Sequence, residues 1–488
     1  MNILFVYSIQ KSITFKKPLK GQEDIQMGLA QISSVLKINH HKTSLLVLDR
    51  KYEKRNFGRI NQVINEVQPD LICFSAVNSE IDFITEIASY IKEKYAIFSV
   101  LGGVHVTISP SLEYFDVVDA LCIGEGEFPL LELANKLENK EDITEIDNLW
   151  IKQNGEIFKN KPRPFIENLD CLPFVDREMW QPWILDKSSR LTVLLGRGCP
   201  YNCSYCCNHK LRQVTSGKYV RFRSARLIAD EIRMLSEQHP LVTEFFLEIE
   251  TLSSNIKWLL ELCDELHLLN KDKKQKLFFS ANLRVHDNLD VDLVFQNMKK
   301  ANFNSVIIGL ESGSERIRSS ILNRHYSNET IIKAVDVARS YGLKVGIFNL
   351  IGLPTETISD FRETLTLNQQ LQPDWHATSI FFPYEGTQLY EVTKEKGLLP
   401  PKIETKNERQ HAVIDLPYFP KKEIQKQFDA FHYEVYKKNK NRNSLKLALF
   451  FIQKKVGHNF MANSKNNLLS LLYFLRIKTK LLNIIQKV

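Results

Sequence analysis

No apolar run in the 488 residues approaches the ~20 that a membrane-spanning helix requires. A bilayer-crossing protein is therefore excluded. The chain begins MNILFVYSIQ, with no basic segment and no long apolar stretch, so a secretory signal is not expected. It shows no internal repeat, no low-complexity tract and no G-x-G-x-x-G, which argues against a dinucleotide site. Strong charge of one sign is missing too. Lys and Arg number 65 against 57 Asp and Glu, a net +8 that does not by itself imply nucleic acid or membrane. Cysteine is sparse at eight. Four of the eight fall within residues 199–207, which favours a metal site in a reducing cytoplasm over a disulfide framework. What the chain does have is 43% hydrophobic and 25% charged residues, enough for sizeable cores. Its length suits about three domains.

The first 150 residues alternate short apolar runs with helical patterns. ILFVY (3–7), SLLVLD (44–49), DLICFSAV (70–77), AIFSVLGG (96–103) and DALCIGEGE (119–127) read as strands. Residues 25–35, 81–95 and 128–137 read as helices. Alternation of this kind predicts βαβ units in a doubly wound, Rossmann-like α/β domain that binds ligands at the carboxyl ends of its strands. Residues 151–189 lose the pattern amid Pro162, Pro164, Pro173 and Pro182 and read as a linker. From residue 190 to 399 six strands alternate with helices: 191–196, 244–249, 276–281, 305–311, 344–351 and 377–382. That predicts a partial (β/α)6 TIM-like barrel. Residues 400–488 read as a helical, basic tail. Residues 437–488 hold twelve Lys and Arg and no Asp or Glu, so the rest of the chain is net acidic at −4. Leu468, Leu471, Leu472, Leu475, Leu482 and Ile485 follow helical spacing. Apolar and basic faces together are expected of either an interfacial helix or a docked cap.

The strongest signal is GRGCPYNCSYCC (196–207). Cys199, Cys203 and Cys206 follow a predicted strand with C-x3-C-x2-C spacing. Thiolates suit iron–sulfur clusters or zinc, but structural zinc wants four ligands in paired units. Three cysteines can hold three irons of a four-iron cube and leave the fourth open for a ligand that is not protein. Cys207 reads as a small buried residue, and Cys73, Cys122, Cys171 and Cys263 as core cysteines. Glu248 and Glu250 in FFLEIETL alternate on one strand face; two carboxylates there suit acid–base work or binding, or a plain solvated face.

The cysteine motif, with Tyr205 before its third cysteine, resembles the signature of the radical S-adenosylmethionine (SAM) superfamily. ANLRV (281–285), IIGLESGSERIRSSILNRHYS (307–327), FNLIGLPTET (348–357) and PYEGTQLY (383–390) are similar to barrel segments of its branch with an N-terminal cobalamin domain. LGGVHVTISP (101–110) and CIGEGE (122–127) resemble that cobalamin domain. The resemblance implies that Cys199, Cys203 and Cys206 hold a 4Fe-4S cluster, and that Tyr205, Glu248, Glu250, Arg284, Glu311 and Gly352 lie at SAM. It implies that Ser75, Gly102, Gly103, His105, Thr107, Gly124 and Gly126 lie at cobalamin. FFLEIETL departs from the acidic pair usual in the branch, which puts the SAM contacts there in doubt. D-x-H-x-x-G is missing, so no lower axial histidine from that motif is expected. The implied activity is reductive cleavage of SAM to a 5′-deoxyadenosyl radical and methylation of an unactivated carbon or phosphorus. The alternatives are radical cyclisation or ring rearrangement, methylthio transfer, and non-catalytic cobalamin or redox sensing. Expected partners are a small-molecule or lipid-linked substrate and an electron donor such as flavodoxin or ferredoxin. Peripheral membrane contact through residues 437–488 is a further expectation, and nucleic acid is not expected.

Overall fold

A computed structural model describes residues 1–10, 12–405 and 408–439. The amphipathic pattern read from 468–485 lies outside the described residues, as does most of the basic tail. Among the described residues no helix is long and apolar enough to cross a membrane.

The first sheet contains β1 (Asn2–Ile9), β2 (Lys42–Asp49), β3 (Leu71–Ser75), β4 (Phe98–Gly102), β5 (Ala120–Cys122), β6 (Leu149–Gln153) and β7 (Glu156–Lys159), in the order β2-β1-β3-β4-β5-β6-β7. The first five in that order are parallel. Such strands read as continuous apolar runs because helices cover both faces. Phe5 points to the layer of α1 (Met27–Ile38) and α4 (Glu127–Asn139). Its neighbours Leu4 and Val6 point to the layer of α2 (Glu53–Val67) and α3 (Ile81–Lys94). β6 and β7 add an antiparallel edge hairpin. Its turn is Asn154-Gly155, both with positive φ (52° and 84°), as a two-residue hairpin of the right twist requires. The first sheet therefore runs through Lys159, past the boundary expected at residue 150.

The second sheet contains β8 (Leu191–Leu194), β9 (Glu244–Glu248), β10 (Phe278–Leu283), β11 (Phe303–Glu311), β12 (Lys344–Ile351) and β13 (Trp375–Ile380). All are parallel and in sequence order. Val193, Phe245, Leu247, Phe279 and Val306 face outward into a core with helices α5 (Ala225–Gln238), α6 (Ile256–Lys271), α7 (Val291–Lys300) and α8 (Asn328–Ser340). Alternate residues are left facing the barrel interior. After α9 (Ile358–Leu371), the last helix among the described residues, α10 (Lys421–Tyr436), packs Ile424, Phe428 and Phe431 against Phe361 and Phe419.

The proline-punctuated segment between the sheets joins the two domains. Asp176 accepts a hydrogen bond from Ser33 of α1 (2.6 Å) and pairs with Lys37 (3.0 Å). Next to it, Arg177 donates to the carbonyl of Thr192 in β8 (2.5 Å). Trp180 is fully buried and meets the Tyr7 ring edge-on at 5.5 Å. Cys171 lies in the same segment but is exposed, where a core cysteine was expected; it ends a surface turn, Leu169–Cys171. Cys73, Cys122 and Cys263 are buried.

Trp180→Ala would empty the anchor of this segment. Loss of a buried indole costs about 3–5 kcal/mol. Urea unfolding is expected to show the transition of the first domain at lower denaturant, with far-ultraviolet ellipticity at zero urea unchanged.

Candidate active site

The cysteine loop leaves β8 through a two-residue strand, Gly196–Arg197, antiparallel to Arg221–Phe222. A Cβ at residue 196 would stand 2.3 Å from the Arg221 carbonyl oxygen, and one at 198, where φ is +84°, 2.3 Å from that of Tyr219. Only glycine admits so close a backbone approach. Downstream, the loop turns on a hydrogen bond from Cys206 N–H to the Cys203 carbonyl (3.0 Å). Ser204 N–H donates to the Leu322 carbonyl (3.2 Å), which ties the loop to the segment after β11.

Positive groups surround the thiols. Arg284 Nη1 lies 2.8 Å from Cys203 Sγ and stacks its guanidinium 3.7 Å from the Tyr201 ring centroid. Asn208 Nδ2 donates to Cys206 Sγ (3.2 Å). Burial pushes the Cys199 thiol up to about 11. Cys206 moves the other way, to about 6, because the Cys207 thiol donates to it and Asn208 adds backbone and side-chain donors. Cys207 is thus not the buried bystander expected from sequence. It is half-buried and lines the same cavity as Cys206, because it caps the short helix Asn208–Leu211 and is held beside its neighbour. Among the described residues no three His, Cys, Asp or Glu side chains converge on a single metal ion. A four-iron cube takes one thiolate per iron, so its ligands need not converge. Three thiols on one loop beside guanidinium groups fit that group.

A residue not singled out from sequence organises the far wall. Arg324 is buried and donates to the Gly309 carbonyl (2.6 Å), Tyr326 Oη (2.9 Å) and Tyr205 Oη (3.2 Å). It also stands 3.5 Å from Glu311 Oε1. Glu311 has φ of 63° at a register shift between β11 and β12. Non-glycine residues pay about 1 kcal/mol or more for that conformation, and the Arg324 contact helps hold it. Burial, then the Glu311 charge, pushes the Tyr205 phenol well above its ordinary value. Arg324 stands in the quoted LNRHYS stretch, but a lone arginine in a loop gives no sequence signal of burial.

Three cavities meet between the domains. The largest, about 760 Å³, is lined by Tyr205, Cys206, Cys207, Glu311, Tyr384 and His105, among others. A second, about 340 Å³, brings together Ser75, Gly102, Gly103, Thr107, Gly124 and Gly126. The Thr107 hydroxyl accepts from Gly124 N–H (3.1 Å). At Gly103, with φ of +102°, a Cβ would stand 2.5 Å from the Ala76 carbonyl oxygen. His105, on the same short helix as Thr107, does not line this second cavity. It faces the largest cavity, hydrogen-bonds Tyr114 Oη (2.8 Å), and is kept below its ordinary pKa by burial. The third cavity, about 650 Å³, adjoins both others.

Glu248 and Glu250 do not share a strand: β9 ends at Glu248, and Glu250 stands in the bend beyond it. Glu248 opens into the third cavity and Glu250 into the second. Each is exposed to cavity solvent. Even so, burial and then the Glu250 charge push Glu248 up, and burial pushes Glu250 up against Arg197 and Arg221. Gly352, expected at SAM, lines none of the three cavities. The side a Cβ would occupy faces Ile424 and Ile380, and its N–H donates to Glu356 (2.5 Å).

The two domains are locked beside the cysteine loop. Arg197 pairs with Glu125 (2.9 Å) and Glu127 (2.5 Å), and Arg221 pairs with Glu125 (2.9 Å). Burial acts to raise the Glu125 carboxyl, but Arg221 and Arg197 outweigh it and hold it low.

Residues 193–367 match the radical SAM superfamily, and residues 21–134 match the B12 binding domain. The chain belongs to the radical SAM superfamily, in the group with a B12-binding domain. The chain is 29% identical over 438 residues to the "uncharacterized methyltransferase PH0819" of Pyrococcus horikoshii, covering 87% of this chain and 90% of that protein. It is 23% identical to the anaerobic magnesium-protoporphyrin IX monomethyl ester cyclase of Rubrivivax gelatinosus, covering 75% of this chain and 66% of that protein. Among solved structures, the radical SAM methyltransferase TsrM from Kitasatospora setae, with cobalamin and a 4Fe-4S cluster bound, has the same fold. The TM-score is 0.65 at 15% identity, covering 95% of this chain and 99% of that one.

Two outcomes follow from this geometry. Arg197→Ala leaves Glu127, whose side chain is 4% exposed, without its cation. Breaking a buried pair from one side costs about 3–5 kcal/mol. Hydrogen exchange is expected to quicken in residues 196–207 and in 122–127 together. The second concerns Glu356, 1% exposed and pushed by burial from an ordinary 4.5 to about 8. Between those values the folded chain keeps a proton that the unfolded chain releases, so stability falls as pH rises through that range. Glu356→Gln is expected to shrink the drop in melting temperature between pH 5 and pH 8; an unchanged drop would assign it elsewhere.

Proposed function

We propose that this cobalamin-dependent radical SAM enzyme transfers a methyl group to an unactivated carbon, or to phosphorus, of a small-molecule or lipid-linked substrate. The observation that carries the reading is that the cavity of the glycine turns and the cavity of Cys206 share a wall, Val104, at the domain interface. Two cofactors held in these cavities would be neighbours. Similarity over most of the chain to a protein described as a methyltransferase supports methyl transfer.

Cys199, Cys203 and Cys206 would hold the 4Fe-4S cluster, and Ser75, Gly102, Gly103, Thr107, Gly124 and Gly126 would line cobalamin. When bound, the cluster supplies an electron for SAM cleavage and cobalamin supplies a methyl carrier. The electron would come from a flavodoxin- or ferredoxin-type donor. Around those groups the chain's own residues position and compensate charge. The half-buried Arg284 and the buried Arg324 place two guanidinium groups near Cys203, 2.8 and 3.9 Å from its sulfur. Arg324 also holds Glu311 and Tyr205 at the cavity of Cys206. Glu250, with its raised pKa, keeps a proton at its carboxyl to higher pH than an ordinary glutamate, which suits it to proton transfer beside the cysteine loop.

Radical cyclisation is the second reading, favoured by the likeness to the porphyrin ester cyclase. Anaerobic reconstitution with iron, sulfide, cobalamin and SAM carrying a deuterated methyl group separates the two. Methyl transfer predicts 5′-deoxyadenosine and a product heavier by one labelled methyl. Cyclisation predicts 5′-deoxyadenosine and no label in the product. Cys199→Ala, Cys203→Ala and Cys206→Ala are each expected to lose the cluster absorbance and SAM cleavage, whereas Cys263→Ala, in the barrel core, keeps both. Absence of 5′-deoxyadenosine with any reductant would overturn both readings.

A further inference from the structure

The third cavity, about 650 Å³, has a distinctive wall. Five carboxylates face it: Glu23 and Asp24 from the turn before α1, Glu80 before α3, Glu248 from the end of β9, and Glu408. No lysine or arginine lines it among the described residues. Acids that gather at a surface need no ligand, because water solvates them. Glu80 is different. It is 4% exposed, and neither carboxylate oxygen has a hydrogen-bond partner among the described residues. Ser8 and Gln10 lie beside it and ease its burial without reaching bonding geometry. Arg50, the nearby cation, is occupied with the Ser79 carbonyl (3.3 Å) and the Thr405 hydroxyl (3.1 Å). Glu23 and Glu408 each add one further buried oxygen with no partner. A buried carboxylate left unpaired costs stability, so the arrangement awaits a group that repays it.

Position says which molecule would bring that group. The cavity shares Gln26, Gly28 and Leu194 with the cavity of the glycine turns. It shares Val77, Ser79 and Glu408 with the cavity of Cys206. No cluster cysteine lines it, so it stands beside the reacting centre and apart from the iron site. We propose that this chamber binds an ammonium or guanidinium group of the substrate, which makes the enzyme one that acts on a cationic, amine-bearing molecule. Naming that ligand the substrate rests on the reading given under Proposed function; binding of a cation by the chamber does not. Carboxylate–ammonium and carboxylate–guanidinium bonds are charge-assisted and strengthen away from bulk water.

Calorimetric titration of the full reconstituted chain with agmatine, pentylamine, 1-pentanol and pentanoate tests this. The two amines are expected to bind saturably, and about tenfold or more tighter than the alcohol or the acid. Glu80→Gln is nearly isosteric. It is expected to weaken amine binding by about tenfold and to raise the melting temperature, since it removes an unpaired buried charge. Saturating SAM or hydroxocobalamin is expected to leave amine binding in place. Amines that bind no tighter than 1-pentanol, or that SAM displaces, would overturn the proposal. So would a Glu80→Gln chain with unaltered affinity or a lower melting temperature. A chain that binds the amines but cleaves no SAM keeps the chamber and loses the methyl-transfer reading. One that cleaves SAM but ignores the amines loses only the chamber.

Discussion

The structure depends on the pairing of two glutamates in the first domain with two arginines of the barrel. Glu125 sits in the turn after the last parallel strand of the first sheet, and Glu127 opens α4. Arg197 and Arg221 sit on the paired two-residue strands that carry the cysteine loop. Side chains this buried gain little net stability from pairing, because desolvation consumes most of the attraction. What they gain is registration. Arg197 is two residues from Cys199, so the ion pairs fix the loop against the glycine turn. Gly196 and Gly198 complete the constraint, since the strand pressed against them leaves no space for a side chain. The distance between the two larger sites is therefore set by charge and backbone contact together.

Around that lock the interior is electrically divided. Guanidinium groups collect at the thiols: Arg284 at Cys203, with Arg324 behind it. Carboxylates collect on the opposite side, in the chamber of Glu80 and Glu248. A thiolate-ligated cluster is anionic and needs buried positive charge nearby, because low effective dielectric makes uncompensated charge costly. No lysine or arginine lines that chamber among the described residues. Both Glu248 and Glu250 have raised proton affinity instead. One face of the interior thus favours anions and the other favours cations or protons.

Much of this organisation was legible in the residues. Each of the six barrel strands and the five parallel strands of the first sheet carries a strong apolar run, and each formed where the pattern put it. The edge hairpin straddles the boundary at which the apolar alternation ends, because the prolines that follow Asn154-Gly155 read as a linker. Helix α2 carries a weak signal because its stripe is short, with Ile60 and Ile64 the buried apolar positions. At the site, C-x3-C-x2-C spacing was legible because chemistry demands it. The ion pairs were not, because Glu125 and Arg197 are 72 residues apart and nothing local marks either as a partner. Alternation puts Glu248 and Glu250 on one face, but the strand ends at Glu248 and Glu250 stands in the bend beyond it. It could not show that a wall between two cavities falls between them, which only the docking of the first domain decides.

That last point bears on how one fold serves different reactions. A methyltransferase and a ring-forming cyclase both resemble this chain. The thiol loop and the glycine turns cannot distinguish them, since both belong to the shared cofactor scaffold. What differs between reactions is the molecule presented to the cofactors, which the proposed reading puts in the chamber between the domains. Its walls are residues such as Glu80, at the start of α3, and Glu408, on the segment before α10. Neither position carries a motif. Glu80 is exceptional only for its environment, a buried carboxylate with no partner beside a cavity. On the proposed reading, substrate choice in this chain rests on unpaired charge at the interface, where folding alone offers no reason to keep it.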